Sequence, residues 1–165
     1  MMDDVNAPKS DIPTLAEWAG GSAAFEALTK RFYEKVPNDP VLAPVFASMS
    51  PHHAHHVAQF VTEVFGGATG YSGNGGSHSG MISHHLGRHL TEAQRQRWIA
   101  LMLETADEVG LPDDPEFRAA LVGYLEWGTR IAVINSRDGV PQPSSELPMP
   151  RWGWGPPGGP YQGPD

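Results

Sequence analysis

Apolar residues recur along most of this chain every three or four positions, with no convincing strict alternation, so the pattern predicts helices and no strand. Thr14 and Glu17 have capping-box spacing and open a short helix that stops at Gly20-Gly21. Ser22 can cap the next, on which Phe25, Leu28, Phe32 and Val36 form one apolar stripe. Asp39-Pro40 starts a short turn or helix that ends near Phe46. Ser50-Pro51 reads as a cap followed by a first-turn proline. Val57, Phe60, Val61, Val64 and Phe65 then mark a buried helix face, ended by Gly66-Gly67. Residues 68–79, rich in Gly, Ser and Asn, read as a loop, and a short helix is expected from Met81 to His89. Thr91 and Gln94 form a second capping box, opening a helix with Trp98, Leu101, Met102, Thr105 and Val109 on one face. Asp114-Pro115 caps the last helix, whose face is Phe117, Leu121, Tyr124, Gly128 and Ile131.

The pattern divides the chain into a flexible segment over 1–11, one helical domain over 12–136 and a tail over 137–165. Eight of the 29 tail residues are Pro and six are Gly, which predicts disorder because proline removes backbone donors and glycine raises the cost of ordering. Trp152, Trp154 and Tyr161 are the tail residues able to dock. A length of 165 residues suits one domain. No apolar run approaches the ~18 residues of a membrane-spanning helix, and the polar, acidic start lacks the features of a secretion signal, so a cytoplasmic location is the default expectation. A net charge of -8 argues against nucleic acid or an anionic membrane as the main partner. The absence of cysteine excludes disulfides, thiolate metal sites, a cysteine nucleophile and thioether-linked haem.

All eight histidines fall between His52 and His89, and neutral imidazole is the commonest protein metal ligand. Two metal chemistries compete. His52/His56 and His85/His89 both have the i, i+4 spacing that could build a four-histidine zinc site, although no His-Glu-x-x-His arrangement accompanies them. The segment Met81-Ile82-Ser83-His84-His85-Leu86-Gly87-Arg88 instead suits a haem: His85 for the iron, Met81 on the same side, and Arg88 within reach of a propionate.

The rest of the chain favours the second. Phe32-Tyr33 is followed by Phe46, Phe65-Gly66-Gly67 by Tyr71-Ser72, and Met81 by His85-Leu86-Gly87-Arg88. Trp98 stands thirteen residues after His85, and the last helix carries Tyr124-Leu125-Glu126-Trp127-Gly128. In this spacing the sequence resembles the truncated haemoglobins, the two-over-two globin family, and most of all group II, over about residues 12 to 136.

That resemblance implies an all-α, two-over-two helical sandwich around one non-covalent haem b per chain, with the tail outside it. It implies His85 as proximal iron ligand, with Met81 and Arg88 beside the haem. Phe46 matches the aromatic that packs on the haem, Tyr33 the distal tyrosine and Trp98 the tryptophan that marks group II. His53 and Val57 fall on the distal positions nearest the iron, with His53 as a further N–H donor that would stabilise the ligand; a shift of one residue would bring His52 or His56 inward instead. A histidine at this position departs from the family, where a small or apolar residue is common. The implied function is binding of O2, NO, CO or peroxide, with NO dioxygenase or peroxidase activity dependent on a separate reductant or reductase. A ligand or redox sensor is the non-enzymatic alternative, and a homodimer is left open.

Overall fold

The computed structural model describes residues 11–164. The segment expected to be flexible, 1–11, therefore lies outside the described residues except for Asp11. Seven α-helices run in the order α1 (Leu15–Ala19), α2 (Ser22–Lys35), α3 (His53–Val64), α4 (Gly70–Gly73), α5 (His78–Ser83), α6 (Glu92–Glu108) and α7 (Pro115–Asn135), with a 3-10 turn at Val36–Asn38; no strand occurs among the described residues. Two pairs, α2 with α3 and α6 with α7, form the body, and α2 also packs on α6.

The helix ends follow the local chemistry of the sequence. Both capping boxes form: Thr14 with Glu17, and Thr91 with Gln94. The Asp114 carboxylate accepts from the backbone N–H of Phe117 at 3.1 Å, with Pro115 in the first turn of α7. Helix α1 stops at Gly20, whose φ of 111° lies in the left-handed region that glycine tolerates. After α2, Asp39 accepts from the N–H groups of Val41 and Leu42 and pairs with Arg97 of α6, fixing the turn that carries Phe46.

Phe65, fully buried just beyond α3, joins the two helix pairs. It meets Phe25 of α2 at 5.7 Å between ring centroids, Tyr124 of α7 at 5.3 Å and Phe117 at 6.5 Å, all edge to face. Burying such a ring contributes about 1.5–3 kcal/mol, so this contact anchors the C-terminal end of α3. Its carbonyl also accepts from the N–H of Ala16, which brings α1 against the same end.

Two expectations need correction. The helix expected from Met81 to His89 is shifted: α5 covers His78–Ser83, and His85 lies in the turn that follows. Gly87 (φ 70°) and His89 (φ 54°) both take left-handed conformations, which a continuing α-helix excludes. The loop expected over 68–79 likewise contains α4 and the start of α5.

The second correction concerns the tail. It lacks regular secondary structure after residue 140, as its Pro and Gly content dictates, yet it is docked rather than free. The Trp152 N–H donates to the Val64 carbonyl at 2.9 Å, and its indole packs on Tyr124 (5.7 Å) and Trp127 (5.6 Å). The Trp154 indole donates to the Pro13 carbonyl at 2.8 Å and meets Trp18 edge to face at 6.3 Å. Two indoles bring enough apolar area to offset the ordering cost that composition alone predicts would win.

Candidate haem site

Tyr33 is placed by the buried stripe of α2 and is only 7% exposed. Its ring packs edge to face on Phe32 (4.8 Å), Phe46 (5.4 Å) and His53 (4.8 Å). The phenol oxygen lies 3.0 Å from His53 Nε2. Burial pushes the Tyr33 pKa well above its ordinary value, against the smaller opposing effect of Trp98, so the hydroxyl keeps its proton. Trp98 is half-buried on α6 and contacts Phe32 at 5.4 Å.

His53 is the first residue of α3 and half-buried, with Phe46 5.8 Å from its ring. Burial lowers its pKa to about 4, helped by the positive potential of His56, His84 and Arg88, so the ring is neutral at physiological pH. His52 and His56 are exposed; the helix turns His53 toward Tyr33 and its two neighbours toward solvent. Val57, one turn further along α3, is half-buried against the core.

On the other side, His85 follows α5 in a turn closed by its N–H bond to the Ile82 carbonyl at 2.9 Å. Burial lowers its pKa to about 4, with smaller contributions from Arg88, His84 and His53, against the opposing influence of the Met81 backbone. A neutral imidazole keeps one nitrogen lone pair free for a metal ion. Met81 itself is half-buried against the core, whereas the Arg88 side chain lies exposed along the His84 carbonyl.

Ser136, absent from the sequence-derived site, helps hold this turn. It is fully buried at the end of α7; its carbonyl accepts from the His89 N–H and its hydroxyl from the Leu90 N–H, both at 3.0 Å. A lone serine at a helix end gives no sequence signal for contacts 46 residues away.

These residues fit a haem better than a zinc ion. A half-buried neutral imidazole, half-buried Met81, Phe46 and Val57, and a cation at the rim meet the needs of a porphyrin and its iron. The four-histidine alternative is not assembled: among the described residues no three His, Asp or Glu side chains are grouped to hold a metal ion. The end of α5 at Ser83 breaks the i, i+4 register of His85 and His89, and His89 instead meets Asp138 at 3.1 Å on the surface. Other histidines are accounted for locally, such as His55, whose Nδ1 lies 2.5 Å from a carboxylate oxygen of Glu26.

Comparison with known proteins points the same way. Residues 14–127 match the family described as bacterial-like globin. The group 2 truncated haemoglobin YjbI of Bacillus subtilis (strain 168) is 33% identical over 110 residues, covering 67% of this chain and 81% of that protein. The group 1 truncated haemoglobin GlbN of Synechocystis is 32% identical over 109 residues, covering 62% and 83%. Among solved structures, the truncated oxygen-avid haemoglobin from Bacillus subtilis superposes with a TM-score of 0.64 at 31% identity, over 73% of this chain and 99% of that one. The group II truncated haemoglobin from Bacillus anthracis gives a TM-score of 0.66 at 25% identity, over 82% and 98%. Family, fold and pocket chemistry agree: the chain belongs to the bacterial-like globins, as a truncated haemoglobin of group II that takes non-covalent haem b and binds small gaseous ligands.

Proposed function

We propose that His85 would ligate the iron of the haem, and that Tyr33 and Trp98 would donate hydrogen bonds to O2 or a related diatomic ligand held reversibly there. Haem supplies an iron that, when reduced, takes up such ligands. The chain's own residues do the rest. The neutral His85 imidazole offers one nitrogen lone pair to the iron. Arg88 is the cation for the propionates, and Met81, Phe46 and Val57 supply apolar contact. Donors aimed in advance at the charge on a polarised ligand stabilise it without reorganising at the moment of binding. Tyr33 keeps its phenol proton and Trp98 its indole N–H in a setting that excludes most water.

The observation that carries this reading is the hydrogen-bonded pair of Tyr33 and His53, with Phe46 packed on both rings and Trp98 beside them across Phe32. His53 is the third polar group of this distal set. The same donors suit redox turnover of the ligand, as NO dioxygenation or peroxide reduction, with electrons from a separate reductant or reductase. The test is to reconstitute the protein with haem and measure O2 dissociation, then NO-to-nitrate turnover with a supplied reductant. Slow O2 release that depends on Tyr33 and Trp98 is the expected result. Release indifferent to both would refute the donor assignment.

A further inference from the structure

The phenol proton of Tyr33 has a partner before any ligand arrives. A phenol both donates and accepts, so the Tyr33 proton needs an acceptor of its own. The group is buried, and among the described side chains the acceptor in reach is His53 Nε2, at 3.0 Å. The two rings stand nearly perpendicular, at 87°, and Phe46 packs on both, so the pair is held in place. A neutral imidazole accepts at one nitrogen only. If Nε2 takes the Tyr33 proton, the ring's own N–H sits on Nδ1, away from Tyr33.

We infer that His53 is a positioning residue that acts through Tyr33: it accepts the phenol proton in the ligand-free pocket, and a ligand gains the Tyr33 hydrogen bond only by drawing that proton away from His53 Nε2. This rests on the reading of Tyr33 as a ligand donor. Its consequence is selectivity by charge. A strongly polarised ligand such as O2 competes for the proton; CO, with little charge on its outer atom, leaves it on the His53 side. His53 therefore weakens O2 retention without touching O2, the opposite sign from a histidine that donates to the ligand directly.

The experiment compares O2 and CO dissociation from the haem-loaded wild type, His53→Leu, Tyr33→Phe and the double variant. Removing the competing acceptor should slow O2 release in His53→Leu by roughly two- to ten-fold, the equivalent of one ordinary hydrogen bond. CO release should stay near the wild-type rate, and the O2 effect should vanish in the Tyr33→Phe background. Faster or unchanged O2 release in His53→Leu overturns the inference, as does an equal shift in the Tyr33→Phe background. If Tyr33→Phe speeds O2 release while His53→Leu does not slow it, this inference alone fails; unchanged release in Tyr33→Phe overturns both it and the donor reading. A second measurement is independent of ligand release: 15N NMR of the diamagnetic CO form should show His53 protonated on Nδ1, with an Nε2 resonance that shifts in Tyr33→Phe. Protonation on Nε2 overturns the inference.

Discussion

Replacing Tyr33 by Phe isolates one hydroxyl. The ring contacts with Phe32, Phe46 and His53, all at 4.8–5.4 Å, are retained, so packing changes little. What disappears is the donor to the ligand and, in the ligand-free pocket, the bond to His53 Nε2 at 3.0 Å. A hydrogen bond to a charged or strongly polarised acceptor is worth about 1.5–3 kcal/mol, and an ordinary one about 0.5–1.5 kcal/mol. If the ligand must win the proton from His53, the difference is about 1–2 kcal/mol, or about five- to thirty-fold in O2 release at 1.4 kcal/mol per decade. Stopped-flow displacement of O2 by CO on the reconstituted protein reads this directly, and CO displacement by NO supplies the control. Trp98 remains as a donor to the ligand in this variant, so the double variant with Trp98→Phe should release O2 faster still. An equal acceleration of O2 and CO release would refute the reasoning, because it would indicate wider steric access rather than a lost hydrogen bond.

Other predictions concern the same structure. His53 titrates near 4 rather than near its ordinary 6.5, so the Tyr33-dependent part of O2 release should be flat from neutral pH down to about 5.5 and change only as pH approaches 4; a transition centred near 6.5 would contradict this. Because that pKa lies below the unfolded value, the stability of keeping His53 neutral is fully present above the ordinary histidine pKa and is lost as pH falls through about 4. Trp152→Ala removes the packing on Tyr124 and Trp127 and should cost about 1–3 kcal/mol, less than a fully buried Trp, seen as a melting temperature lower by several degrees with an unchanged haem spectrum. An unaltered melting temperature would mean that the tail contributes nothing. Gly66→Ala forces a side chain onto a φ of 86° and brings its Cβ to 2.9 Å from Thr14, so thermal denaturation should show a loss of about 1–3 kcal/mol; wild-type stability would contradict that close approach.

Much of the frame was legible from local rules. Capping boxes, an Asp-Pro start and glycine stops located α1, α6 and α7, because those signals act within one turn of helix. The resemblance grouped Tyr33, Phe46, His53 and Trp98, and the structure brings them together, since three of these sit on helices whose period fixes their direction. The segment around His85 was read less well. Its helix is shifted toward the N-terminus because Gly87 and His89 adopt left-handed conformations, the latter pinned by Ser136 from the far end of α7. Such a long-range contact leaves no periodic trace. The tail was misjudged for a related reason: composition measures the cost of ordering Pro and Gly, whereas docking depends on where Trp152 and Trp154 find Val64, Pro13 and Tyr124. The hydrogen bond between Tyr33 and His53 also required coordinates, because four histidines within five residues point in different directions and only one meets the tyrosine.

The central claim is that His85 binds the iron, and His85→Gly tests it most directly. The account predicts that the variant purifies with little haem, and that after reconstitution its ferrous spectrum lacks the five-coordinate histidine signature. Added imidazole should restore that signature, because the space vacated by the native ring remains. A normal haem content and an unaltered ferrous five-coordinate histidine spectrum in His85→Gly, without added imidazole, would contradict the assignment and turn attention to His84.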